Sequence, residues 1–133
     1  MIRLLLIDDD EELCEELEEV LEAEGFKVDI AFDGQQGLRY LEGKQYHIVI
    51  LDLKLPGLNG YSVLKAVRNI VKPVKVLVLS GRPLGEPLLK EDGVSQGEEE
   101  KILKMADAVM NKPFMVENFI QKIKELSVVE KGQ

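Results

Sequence analysis

The sequence has no tryptophan, one cysteine (Cys14), one histidine (His47) and only 5% aromatic residues. A single thiol cannot close an intramolecular disulfide or build a cysteine metal cluster. So few aromatics provide no stacking platform for single-stranded nucleic acid. Positive charge is also scarce, with 17 Lys and Arg against 25 Asp and Glu and a net charge of −8. That balance argues against direct nucleic-acid binding, which needs a basic footprint to displace counterions. It suits a protein that attracts a divalent cation or docks on a basic partner surface. No apolar run approaches the ~20 residues that span a bilayer, so no membrane insertion is expected. The opening residues Met1 to Asp8 do not read as a signal peptide, because acidic residues follow a short apolar stretch where a small-residue cleavage site belongs. A cytoplasmic location is the expectation.

What is present describes one globular domain: 133 residues, 45% hydrophobic and 32% charged. Ile2 to Ile7, apolar but for Arg3, and the unbroken run Ile48 to Leu51 show the pattern of strands covered on both faces. Lys27 to Phe32 alternates and reads as an outer strand; Val74 to Leu79, ending at Ser80, and Ala108 to Met110 complete a set of five. Helices are predicted from Glu11 to Glu24, Gly34 to Glu42, Tyr61 to Ile70, Ser95 or Gln96 to Met105, and Met115 to Leu126. Leu13, Leu17, Val20 and Leu21 form the buried stripe of the first, Val63, Leu64, Val67 and Ile70 that of the third, and Phe119, Ile120, Ile123 and Leu126 that of the last. Asp10 and Asp33 are N-caps, and Gly25 and Gly43 are stops. Pro56, Gly57, Asn59 and Gly60 turn the chain after the central strand. Strict βα alternation with short connections implies a parallel sheet with helices on both faces. The domain is expected over 1–127, with a C-terminal tail over 128–133.

Parallel strands deliver their carboxyl ends to one edge, where an open α/β sheet places its ligand crevice. Here that edge receives Asp8, Asp9, Asp52, Ser80 and Lys112. Two like charges roughly 4 Å apart cost about 4 kcal/mol at an effective dielectric of about 20. Such a cluster must raise its pKa values or hold a cation. Mg²⁺, a hard ion, takes one or two carboxylates with waters and a phosphate oxygen. Lys112 and the Ser80 hydroxyl then supply a fixed charge and a donor for a phosphoryl group, a set that suits a carboxylate nucleophile attacking phosphorus.

The Leu-Leu-Ile-Asp-Asp-Asp start, the Leu-Asp-Leu-Lys-Leu-Pro-Gly-Leu-Asn-Gly segment after the central strand, the strand ending in Ser80, and Lys112-Pro113-Phe114 together resemble the receiver domain of two-component response regulators. The likeness covers nearly the whole chain. It implies a flavodoxin-like (βα)5 fold with strand order 2-1-3-4-5. It implies Asp52 as the phosphoacceptor, Asp9 as a direct Mg²⁺ ligand, Asp8 as a ligand mainly through water, and the Lys54 backbone carbonyl as a further ligand, with Mn²⁺ an expected substitute. Ser80 and Lys112 would contact the phosphoryl group, and the Lys112–Pro113 bond is expected to be cis. The implied protein is a single-domain response regulator that takes its phosphoryl group from a histidine kinase or phosphotransfer protein and switches binding to an output protein. It is not an enzyme acting on separate substrates, although it assists its own phosphorylation and dephosphorylation.

The departures are specific. The family's switch aromatic is Val109 here, Gly81 replaces the usual alanine, and Asn59 a common aspartate. The segment between Ser80 and Lys112 is roughly ten residues longer than the family norm, an insertion around 82–94 of a kind that surface loops tolerate. Lys54 and Arg82 occupy positions that tune aspartyl-phosphate lifetime in the family. Three other readings stand beside the main one: a phosphorylation-independent receiver-like binding module, an intermediate carrier in a phosphorelay, and an aspartate-nucleophile phosphohydrolase. The last lacks the usual second acid two positions after the nucleophile. Cys14, His47, Tyr61 and Phe114 read as packing or structural residues, and the glutamates of the first helix as a solvated face.

Overall fold

A computed structural model describes residues 1–55, 60–70, 73–81 and 96–128. The chain alternates β1 (Arg3–Ile7), α1 (Glu11–Ala23), β2 (Lys27–Ala31), α2 (Gly34–Gly43), β3 (Ile48–Asp52), α3 (Gly60–Arg68), β4 (Lys75–Ser80), α4 (Gln96–Met105), β5 (Ala108–Asn111) and α5 (Val116–Ser127). The strands form one parallel sheet in the order β2-β1-β3-β4-β5. This is the expected doubly wound architecture, with β2 at one edge and the apolar β1 and β3 inside.

Strand side chains alternate between two apolar layers, as the pleat demands. Leu5, Ile7, Val49, Leu51, Val76 and Val78 pack with α2 and α3 through Leu41, Val63, Leu64 and Val67. Leu4, Leu6, Ile48, Ile50, Leu77 and Leu79 pack with α1 and α5 through Cys14, Leu17, Leu21, Phe119 and Ile123. Phe114 stacks on Phe119 at 5.3 Å between ring centroids, which makes it a packing residue as expected.

The caps follow from local chemistry. The Asp10 carboxylate accepts from the Leu13 N–H at 3.1 Å and that of Asp33 from the Gln36 N–H at 2.8 Å. Gln36 Oε1 reaches back to the Phe32 N–H at 2.9 Å, tying the helix start to the residue before its cap. Gly25 ends α1 with φ 94°, a conformation that L side chains rarely adopt.

Several boundaries differ from the sequence expectation. Asp52 belongs to β3, opposite Leu79, because the ladder continues through the Leu53 N–H to the Leu79 carbonyl at 3.0 Å. Ser80 and Asn111 likewise pair and extend β4 and β5. Helix α3 starts at Gly60 and ends at Arg68, although Ile70 still packs on the core. Helix α2 ends at Gly43, which is its last residue rather than the first beyond it; the next residue, Lys44, donates to the Tyr40 carbonyl at 2.9 Å. Val20 is only half-buried and lies outside the α1 stripe, whose buried members are Cys14, Leu17 and Leu21. Phe32 lies one residue past β2 and Met115 precedes α5 as its N-cap; both are exposed. Pro56, Gly57, Asn59, Arg82, the 82–94 insertion, Ser95 and residues 129–133 of the expected tail lie outside the described residues. Among the described residues no helix is long and apolar enough to cross a membrane.

Candidate functional site

The carboxyl ends of the sheet bring the expected residues together. Asp8 continues the β1 ladder, its N–H donating to the Ala31 carbonyl at 3.1 Å, and its side chain is fully buried. Asp9 follows on the exposed rim. Asp52, the last residue of β3, is 5% exposed, and Ser80, the last of β4, is 1% exposed. One ligand oxygen from each of Asp8, Asp9 and Asp52 lies within 4.8 Å of the others. Lys112 enters after β5, where its N–H donates to the Ser80 carbonyl at 2.7 Å. Its Nζ lies 2.7 Å from Asp8 Oδ2 and 3.4 Å from Asp52 Oδ2. The Lys112–Pro113 peptide is cis.

Both buried acids are also held by backbone donors. Asp8 Oδ1 accepts from the Asp10 N–H at 3.0 Å and Asp52 Oδ1 from the Lys54 N–H at 3.1 Å. Burial and the neighbouring Asp8 charge push Asp52 up to about 6, against the opposing pull of Lys112 and the Lys54 N–H. Burial lowers the Lys112 pKa, but its contacts with Asp8 and Asp52 outweigh this and hold it above the ordinary lysine value.

Three carboxylates face one ammonium, so the site keeps excess negative charge presented on oxygen donors. That donor set fits a hard divalent cation of the Mg²⁺ class, with Asp8, Asp9 and Asp52 as the residues able to hold it. A buried carboxylate beside a buried hydroxyl and a lysine is equally suited to carrying a phosphoryl group.

Val109 sits on β5 opposite Val78 and packs partly buried on the α2–α3 side of the sheet. Tyr61 also packs on that side, with Lys65 and Lys101 at 5.5 and 6.0 Å from its ring centroid. His47 is structural: its Nδ1 accepts from the Arg3 N–H at 3.0 Å.

Three features near or below the site were not legible from spacing. The Cys14 thiol donates to the Asp8 backbone carbonyl at 3.3 Å and so braces that residue. Gly60 lies against the Leu53 backbone, and its N–H donates to the Leu53 carbonyl at 3.0 Å. At the opposite end of the sheet, Arg68 bonds the Met105 carbonyl at 2.7 Å, the Val74 carbonyl at 2.9 Å and Asp107 Oδ2 at 2.7 Å. Asp107 Oδ2 in turn accepts from the Val76 N–H at 2.7 Å. A lone arginine at a helix end followed by a distant aspartate leaves no recognisable pattern.

Residues 4–124 match the family model of the response regulator receiver domain. The chain is 39% identical over 126 residues to a Haemophilus influenzae homologue of the transcriptional regulatory protein CpxR, covering 95% of this chain and 50% of that protein. It spans about half the length of the curated relatives it matches. Among solved structures it is similar to a CheY-like receiver domain protein of Methanospirillum hungatei, with 29% identity, a TM-score of 0.78 and coverage of 94% of this chain and 92% of that one. It is also similar to the response regulator TrrA of Thermotoga maritima, solved in complex with Mg²⁺ and BeF, with 28% identity, a TM-score of 0.75 and coverage of 95% and 99%. By the family match and by the site at its strand ends, this chain belongs to the response regulator receiver domain family.

Proposed function

We propose that Asp52 accepts a phosphoryl group from a phosphohistidine of a partner kinase or phosphotransfer protein, and that this charge switches protein binding. The observation that carries the reading is the buried Asp52 carboxylate with Asp8 and Asp9 within 4.8 Å and Lys112 Nζ at 3.4 Å. An Asp52 oxygen attacks phosphorus, the new P–O bond forms as the P–N bond breaks, and the imidazole leaves with the electron pair of that bond. Bound Mg²⁺ supplies charge neutralisation for the carboxylates and the transferred oxygens; Asp8, Asp9, Asp52 and the Lys54 carbonyl are its proposed ligands, and Mn²⁺ a proposed substitute.

Lys112 already spans Asp8 and Asp52, so its ammonium is placed to pair with a phosphoryl oxygen on Asp52. The buried Ser80 hydroxyl, two strands' breadth from Asp8 and beside β3, is the proposed second contact. The added negative charge then biases the surface around α4, β5 and α5, where Val109 stands in place of an aromatic. The protein would be no enzyme toward separate substrates, and its setting would be cytoplasmic. Within these 133 residues the readout would be a change in protein binding without direct nucleic-acid contact; the match covers about half the length of relatives named as transcriptional regulatory proteins.

The test is intact mass after incubation with acetyl phosphate and Mg²⁺. A single phosphoryl adduct that requires Mg²⁺ and disappears in Asp52→Asn supports the reading. A folded wild type that gains no adduct and binds no beryllofluoride overturns it.

A further inference from the structure

We infer that Gly60 is a positioning residue for the Asp52 carboxylate, acting through the single peptide plane between Leu53 and Lys54. This rests on the proposed metal and phosphoacceptor reading of Asp52 and extends it to a residue with no chemistry of its own.

That one peptide is held at both of its polar atoms. Its carbonyl, from Leu53, accepts from the Gly60 N–H at 3.0 Å. Its N–H, from Lys54, donates to Asp52 Oδ1 at 3.1 Å. A peptide plane is rigid, so turning the carbonyl turns the N–H with it. The orientation of Asp52 is therefore tied to a residue eight positions along the chain, at the first position of α3. Leu53 is 1% exposed and Gly60 is buried, so both ends of the link lie in the packed interior.

The approach is closed to any side chain. A Cβ on Gly60 would lie 2.5 Å from Leu53 Cα, 2.8 Å from Leu53 O and 2.9 Å from Leu53 Cδ2. Two of those three atoms are backbone and cannot swing aside, so the start of α3 and the Leu53–Lys54 peptide must separate. The separation breaks the Gly60–Leu53 hydrogen bond and rotates the Lys54 N–H away from Asp52. Freed of that donor, the carboxylate loses its fixed direction toward Asp8 and Asp9. Gly37 offers an internal contrast. A Cβ there would also meet an atom at 2.5 Å, but that atom is Ile7 Cδ1, the end of a side chain. Ile7 can change rotamer while the strand end stays in place.

The experiment compares wild type, Gly60→Ala and Gly37→Ala by calorimetric Mg²⁺ titration at matched pH, with urea unfolding of each. The expected result is a loss of roughly tenfold or more in Mg²⁺ affinity for Gly60→Ala, the usual scale for a residue that orients a metal ligand. Gly37→Ala is expected to keep wild-type affinity even where its stability falls. Amide exchange of Gly60 in the wild type provides a readout that needs no variant: Mg²⁺ should slow it, because fixing Asp52 fixes the peptide that Gly60 bonds. Wild-type Mg²⁺ affinity in a folded Gly60→Ala overturns the inference and leaves the metal reading standing. Unchanged Gly60 exchange on saturation also overturns it, whether or not the variant folds. Failure of the wild type to bind Mg²⁺ overturns the reading on which it rests.

Discussion

Neutralising Asp52 should stabilise the metal-free protein. The folded protein holds this carboxyl at about 6 against an ordinary 3.8, so its charged form is disfavoured by burial and by Asp8. A difference of that size corresponds to about 3 kcal/mol, at about 1.36 kcal/mol for each pKa unit, with the attraction of Lys112 already counted. The Asp52→Asn side chain keeps an Oδ1 acceptor for the Lys54 N–H and nearly the same volume, so little packing changes. The sign follows from linkage: a carboxyl raised on folding costs nothing while both states are protonated, and its cost grows as pH rises through 3.8 and is complete above about 6. Urea unfolding in EDTA, followed by circular dichroism because the chain lacks tryptophan, should show Asp52→Asn more stable by about 2–3 kcal/mol at neutral pH. The gain should shrink as pH falls below that of half-protonation. Saturating Mg²⁺ should narrow or reverse the order, since ligand at a hundredfold its Kd adds about 2.7 kcal/mol to whichever form binds it. An Asn variant no more stable than wild type in EDTA at neutral pH would refute this electrostatic account of the site, as would a gain independent of pH.

Arg68→Ala should destabilise the fold by about 2–3 kcal/mol in urea unfolding, because it strips partners from the Met105 and Val74 carbonyls and leaves Asp107 without its cation; a loss below about 0.5 kcal/mol would contradict it. Tyr46→Phe should weaken the protein at neutral pH and lose its effect in acid. Burial raises the Asp29 pKa, but the bonds from Tyr46 at 2.6 Å and Lys44 at 3.4 Å outweigh it and hold Asp29 below the ordinary value. A depressed carboxyl stabilises above its unfolded pKa and loses that contribution as pH falls through the folded one, so the wild-type advantage should fade there. Cys14 should resist alkylation in the native protein and react on unfolding, because burial and then the Asp8 charge push its thiol up to about 12; rapid native labelling would refute this.

The sheet and the members of the site were legible because each rests on a local pattern. Short unbroken apolar runs such as Ile48 to Leu51, rich in β-branched residues and followed by turn residues, suit a strand covered on both faces, and this one lies at the centre of the sheet. Acids directly after such runs must arrive at the same edge when the strands are parallel, which is why the sequence alone groups Asp8, Asp9 and Asp52. Boundaries were less legible where the ladder continues on backbone alone, as it does through Asp52 and Asn111. Periodicity also included Val20 in a stripe that the twist of packing leaves half outside.

Sequence by itself determined the order of elements, the doubly wound class and the identity of the clustered acids, serine and lysine, because apolar patterning and chain direction act over a few residues at a time. Tertiary structure alone decided how those groups face one another: that Lys112 lies nearer Asp8 than Asp52, that a thiol braces Asp8, that Arg68 ties three segments below the sheet, and that a bare Cα at Gly60 lets one peptide plane aim Asp52. Those are contacts between residues far apart in the chain, set by distances of a few ångströms that no spacing encodes.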